Sequence, residues 1–356
     1  GERFHVGTRR GREGLGPGRL QHFAERVVAR FQTVAFGVAE LVVSTGVRQG
    51  GILSPVLFNV CMDWILSSAL PDDSNWGVVL STLENPLTDL DYADDIALFA
   101  DTTQNASSAL TSIARYAARV GLLINVQKTK AMFFHLDRAP IVLDGQNVEI
   151  VDEFCYLGAN ITSIDSSSRD IEIRIGKASG AFTVLNDAVW ANRRISPRTK
   201  IRPFRALVVP VLLYGAEAWS IKIADERLLE AFYMRCLRQI LRIPWYAYVT
   251  KHTVRVRAGG DPLATMLRAR RLRWAGHVAR MVPDRIPRRC LHLQPLAGWR
   301  KKAGGQRMTW SRTIEKDLKL LGWSIKDIAR GDLAADRGRW RGVIRDILLA
   351  SQGTRP

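Results

Sequence analysis

Tyr92-Ala93-Asp94-Asp95 sits between two short apolar runs. Leu90 and Tyr92 alternate with polar neighbours before it, and Ile96, Leu98 and Phe99 follow it. The pattern predicts a strand, a tight turn bearing two adjacent carboxylates, and a second strand. Neighbouring carboxylates repel each other unless a cation lies beside them. A divalent metal is one answer, because Mg²⁺ takes hard oxygen ligands and brings substrate phosphates with it. A solvated hairpin tip is the plainer answer, and the pair alone does not separate the two.

The elements around the turn narrow the choice. Gly46, Gly50 and Gly51 fall within six residues, so this backbone could approach a ligand closely. Ser54 and Pro55 suit a helix start, and Leu57, Val60, Cys61, Trp64 and Ile65 follow at helical spacing. Downstream, the spacing predicts an amphipathic helix over 104–120, with Ala109, Leu110, Ile113, Tyr116 and Ala117 on one side and Gly121 ending it. Residues 122–125 read as a strand, with Lys128 and Lys130 just beyond. Residues 154–158 read as another short apolar strand with a glycine stop.

In this order the motifs resemble those of the reverse transcriptase of a non-long-terminal-repeat (LINE-type) retrotransposon. Gly46-Val47-Arg48-Gln49-Gly50, with Leu53-Ser54-Pro55, looks like that family's nucleotide- and template-contacting loop and helix. Tyr92-Ala93-Asp94-Asp95 looks like its metal-binding hairpin. Gly121 to Asn125 with Lys128-Thr129-Lys130 is similar to the next palm motif, and Tyr156-Leu157-Gly158 to the primer-grip region. The likeness continues through Leu213-Tyr214-Gly215-Ala216-Glu217 and Arg273-Trp274-Ala275-Gly276-His277 to Asp336-Arg337-Gly338-Arg339-Trp340. It covers about residues 41–345.

The resemblance implies roles. Asp94 would be a metal ligand and Asp95 its neighbour, assisting or orienting it, with Mg²⁺ or Mn²⁺ as the cofactor. Lys128 would neutralise or protonate the leaving pyrophosphate; otherwise it is a solvated loop lysine. Arg48 and Gln49 would touch nucleotide or template, with the Gly50 backbone close by. Tyr92 would pack beneath the primer end; otherwise it is a half-buried strand aromatic. The implied partners are an RNA template, a DNA primer or target and dNTP. No protein partner is named by the residues.

One departure matters. Two-metal nucleotidyl transfer also needs an Asp on an earlier strand, and residues 1–40 contain no Asp. Losing that ligand would remove charge stabilisation, the main catalytic effect in phosphoryl chemistry. The first 20 residues hold six glycines and five arginines with little periodicity. The expectation is a protein truncated at its N-terminus and inactive alone. Its fold class would be α+β: a partial right-hand polymerase lacking the fingers and the first palm strand. Residues 1–40 would be a degenerate or non-homologous leader, and 41–165 a partial palm of β-sheet and helices. Residues 166–245 would be an all-α thumb, and 246–356 a basic Arg/Trp-rich helical region. The alternative is a nucleic-acid-binding protein that has lost its chemistry, or a relic that barely folds.

Charge separates the halves. Residues 1–190 hold 16 Lys and Arg against 22 Asp and Glu, while 191–356 hold 36 against 12. The second half is therefore suited to a polyanion. A membrane fits less well, because the longest apolar stretch, 206–216, is interrupted by Pro210. Helices are expected over 169–190, 207–219, 228–243 and 267–281. The last carries Arg270, Arg271 and Arg273, which with Arg300, Lys301 and Lys302 are the candidate nucleic-acid contacts. Cys61, Cys155, Cys236 and Cys290 form no CxxC pair, and Cys290 with His292 offers too few ligands for zinc. The isolated cysteines read as an intracellular, reduced protein, and the resemblance implies the nucleus and cytoplasm.

Overall fold

The computed structural model describes residues 27–32, 38–43, 51–71, 76–80, 86–134, 138–163, 166–293, 308–329 and 333–353. The chain divides into two units. One is Gly1–Asp152 with Gln294–Ala297, and the other is Glu153–Leu293 with Gly298–Pro356.

In the first unit two helices make the core. Ser54–Ala69 begins with Leu53 at the cap position and proline in its first turn. Its buried residues are Met62, Ile65, Leu66 and Ala69, the spacing of one helical face. They pack against Ala109, Ile113 and Ala117 of the helix Thr103–Arg119. Thr102 caps that helix by accepting from the Asn105 amide at 3.1 Å. The hairpin Asp89–Tyr92 and Asp95–Leu98 adds Ile96 and Leu98 to the same cluster.

The palm, expected as one sheet, differs. Among the described residues the strands pair only two by two. Val27–Gln32 pairs antiparallel with Val38–Val43, and Lys130–Ala131 pairs parallel with Glu149–Ile150. Residues 122–125 form no strand. Leu122 and Ile124 do turn to the core, as a strand pattern requires. The backbone instead closes a turn: the Lys128 amide donates to both the side chain and the carbonyl of Asn125 at 3.1 Å.

The second unit opens with the hairpin Glu153–Tyr156 and Ala159–Thr162. Its two turn residues both take positive φ, 48° at Leu157 and 79° at Gly158. Helix Ser166–Val184 follows and ends earlier than the expected 190. A π-helical turn, Asn186–Trp190, takes over, and Trp190 stacks on Phe182 with centroids 4.9 Å apart. The expected helix 207–219 is likewise broken. It is replaced by Pro197–Pro203, a π turn at Phe204–Val208, and Val209–Leu212. Pro203 and Pro210 each remove an amide from the ladder, which is where π geometry and early ends arise. The helices Ile223–Ile240, Lys251–Ala258 and Leu263–Ala279 complete the larger core, around Leu212, Leu229, Leu237, Val254 and Leu267. Within it, burial pushes the Cys236 thiol up to about 12.

A smaller cluster joins Leu263–Ala279 to the helix Arg337–Gly353. Two sequence motifs meet in it. Trp340 lies against Gly276, and its indole donates to the Leu272 carbonyl at 2.9 Å. A methyl added at Gly276 would come within 2.0 Å of Trp340 Nε1. Gly276→Ala should therefore lower stability by about 1–3 kcal/mol, the usual cost of overpacking. Gly180, in helix Ser166–Val184, has nothing within 4 Å of such a methyl. Gly180→Ala should leave stability level or raise it by up to about 1 kcal/mol. Urea unfolding of the two variants checks both signs.

Candidate metal-binding hairpin and basic surface

The hairpin register pairs Asp89 with Leu98, Leu90 with Ala97, Asp91 with Ile96, and Tyr92 with Asp95. Ala93 and Asp94 are the two turn residues. Directly opposed residues share a face of the ribbon, and successive residues alternate. Tyr92 and Asp95 therefore lie on one face with Leu90 and Ala97. Asp89 and Asp91 lie on the other, with Ile96 and Leu98. The Thr88 hydroxyl donates to the Asp89 carboxylate at 2.7 Å, and the Phe99 amide closes the base of the hairpin on the Thr88 carbonyl at 2.7 Å.

The tip faces water. Asp94 and Asp95 are exposed. Tyr92 is 66 % exposed, so it is not the half-buried aromatic the alternation allowed. Among the described residues, no group of three His, Cys, Asp or Glu side chains gathers to hold an ion. The available donors are the carboxylates of the tip. Two exposed carboxylates on adjacent residues suit Mg²⁺ or Mn²⁺, which take one or two such oxygens and fill the rest with water and phosphate. They do not form a closed protein cage.

Ala93 holds the turn at φ 57°. Alanine in left-handed backbone costs about 1–2 kcal/mol, and strain of this kind collects at functional turns.

Lys128 is exposed on the Asn125 turn. Leu122 and Ile124, which lead into that turn, share a cluster with Ile96 and Leu98. One apolar core thus supports both the carboxylate tip and the lysine turn. Arg48, Gln49 and Gly50 lie outside the described residues. Just after them, the Ser54 amide donates to the Gly51 carbonyl at 3.2 Å and shapes the approach to the helix.

The expected cationic face of the 267–281 helix needs correction. Arg271 is 3 % exposed, and its guanidinium donates to Asp317 at 2.7 Å, while Arg268 takes the other Asp317 oxygen at 2.6 Å. This is an interior ion cluster, closed by a carboxylate far along the chain. Arg270 is half-buried and donates to the Leu213 carbonyl at 3.2 Å. Arg273 alone of the three is exposed. It shares a surface depression with Arg341 and Arg345, which the sequence reading did not single out. Their spacing along one helix face was the available signal. Arg300, Lys301 and Lys302 lie outside the described residues.

Residues 20–161 match the family described as reverse transcriptase (RNA-dependent DNA polymerase). The match takes in residues 20–40, which the sequence reading set apart as a leader. The chain is 28 % identical to an uncharacterized transposon-derived protein of Caenorhabditis elegans over 277 residues, covering 73 % of this chain and 95 % of that protein. It is 26 % identical over 252 residues to a retrovirus-related Pol polyprotein from a type-2 retrotransposable element of Drosophila melanogaster, covering 65 % of this chain and 22 % of that one. It is 24 % identical over 232 residues to the RNA-directed DNA polymerase from mobile element jockey of Drosophila funebris, 61 % of this chain and 24 % of that one. The chain thus spans less than a quarter of these two longer relatives.

Glycine at position 93 should relieve the turn. Ala93→Gly is expected to stabilise the hairpin by up to about 1 kcal/mol, strain relief being partly offset by added chain entropy. Slower hydrogen exchange of the Asp89–Tyr92 and Asp95–Leu98 amides would show it, and faster exchange would contradict it.

Proposed function

We propose that this chain, which carries a reverse transcriptase domain of the non-long-terminal-repeat retrotransposon kind, supplies the metal-binding hairpin of an RNA-directed DNA polymerase without completing its active site. The exposed carboxylate pair at the tip of a hairpin with a strained turn carries this reading. Asp94 and Asp95 would hold Mg²⁺ or Mn²⁺. A bound metal would neutralise charge developing on the transferring phosphoryl group. Asp95 and Tyr92 share a face of the ribbon, and the tyrosine ring would support a primer end beside the carboxylate. Lys128 offers positive charge, or a proton, to departing pyrophosphate. Arg48, Gln49 and Gly50 would contact the incoming dNTP and the RNA template. A site of this kind acts at a DNA primer in the nucleus or cytoplasm.

The reading turns on an opposing acid. Residues 1–40 contain no Asp, and a carboxylate pair on one hairpin holds a metal from one side only. Nucleic-acid binding without chemistry is the second reading, favoured by the excess of 36 Lys and Arg over 12 Asp and Glu in residues 191–356. One experiment addresses both. An RNA template with an annealed DNA primer is mixed with the chain, dNTP and Mg²⁺ or Mn²⁺. The expected outcome is a bound complex on a native gel and no primer extension. Extension that disappears in Asp94→Asn would overturn the incomplete-site reading, and failure to bind would remove both.

A further inference from the structure

The loop after helix Ile223–Ile240 exposes three aromatic rings. Trp245 is 89 % exposed, Tyr246 67 % and Tyr248 106 %. Trp245 and Tyr246 meet edge to face, with centroids 5.9 Å apart at 84°. The backbone beneath them is anchored. The Arg238 guanidinium donates to the Pro244 carbonyl at 3.4 Å and to the Val249 carbonyl at 2.5 Å, bracketing the loop. The Ala247 amide donates to the Pro244 carbonyl at 3.1 Å, and Ile243 is buried in the core. Three large rings exposed within four residues on a pinned backbone form a patch of the kind found at interaction sites.

The charge around the loop names the ligand. Residues 231–260 contain six Lys and Arg and no Asp or Glu. Residues 188–216 also contain six Lys and Arg and no Asp or Glu. The two stretches are one surface region. Arg242 donates to the Ala191 carbonyl at 3.1 Å, and helix Pro197–Pro203 packs on both Ile223–Ile240 and Lys251–Ala258. Arg194, Arg242 and Lys251 are exposed there. A surface rich in exposed cations selects a polyanion, and flat exposed rings select a ligand with open π-faces. A duplex hides its base faces by stacking. An unpaired strand offers both phosphates and bases.

We propose that the loop around Trp245, Tyr246 and Tyr248 is a binding site for single-stranded nucleic acid. Bases stack on the rings, and Arg194, Arg242 and Lys251 take the phosphates. This site rests on the nucleic-acid-binding reading given above and uses no residue of the Asp94–Asp95 hairpin.

Fluorescence anisotropy with the full chain tests it. The probes are labelled oligo(U), oligo(dT) and a random-sequence DNA duplex, each about 20 nucleotides or base pairs long, enough for a strand to cross the patch. The double variant Trp245→Ala/Tyr248→Ala should lose about tenfold or more in affinity for both single strands, as expected for two stacking residues, and within about twofold for the duplex. Arg194→Glu should weaken all three probes and flatten their salt dependence. The mutated side chains are exposed, so melting temperatures should match the wild type and exclude misfolding. Equal losses on strand and duplex would overturn the site, as would no loss on either. So would unchanged oligonucleotide binding alongside lost binding to phosphatidylserine vesicles, which would assign the rings to a membrane surface.

Discussion

The buried carboxylate of Asp170 organises the second unit. One of its oxygens accepts from the amide and the side chain of Asn160 at 3.1 and 2.9 Å. The other accepts from the Trp219 indole at 2.8 Å, and the Arg174 guanidinium stands 3.6 Å away. A buried carboxylate without such partners costs several kcal/mol, so these donors must all arrive together. They come from a hairpin, a helix and the turn beyond Leu212. The chain therefore cannot continue as helix to Trp219. Arg174 also donates to the Gly158 carbonyl and lies 4.4 Å from the centre of the Tyr214 ring. The Tyr214 hydroxyl donates to the Leu157 carbonyl at 3.1 Å. Gly158 has φ 79° and would crowd Tyr214 at 3.3 Å if it bore a Cβ. The motifs Tyr156-Leu157-Gly158 and Leu213-Tyr214-Gly215 are thus two sides of one structural device.

The arginines of the second unit do two kinds of work. Arg174, Arg268 and Arg271 neutralise interior carboxylates. Arg205, Arg238 and Arg280 donate to carbonyls at loop and helix ends. Arg194, Arg242, Arg273, Arg341 and Arg345 remain at the surface. Net charge consequently overstates the number of cations ready for phosphate. The placement of each arginine, paired in the interior or exposed, is the better guide.

The elements legible in the sequence are those set by short-range patterning. The hairpin at Asp94 and Asp95 follows from alternation on either side of the turn. The helices Ser54–Ala69 and Thr103–Arg119 follow from apolar spacing and a proline or threonine start. Long-range choices were not legible. Residues 122–125 alternate like a strand, but Asn125 draws the next amides into a turn. Arg271 is one of four arginines on its helix, and only Asp317, from a distant helix, decides that it is interior. Trp245, Tyr246 and Tyr248 lie outside the arginine- and lysine-based contacts expected from the sequence. Consecutive aromatics after Pro244, in a stretch without acids, were the signal.

Asp94 and Asp95 as metal ligands are tested most directly by paramagnetic broadening. Mn²⁺ is titrated into the isotope-labelled chain, and backbone amide signals are followed by NMR. The prediction is that broadening begins at residues 91–97, grows when a nucleoside triphosphate is added, and is lost in an Asp94→Asn/Asp95→Asn variant. Broadening that starts elsewhere, or that persists at 91–97 in the double variant, would contradict a metal site at this hairpin.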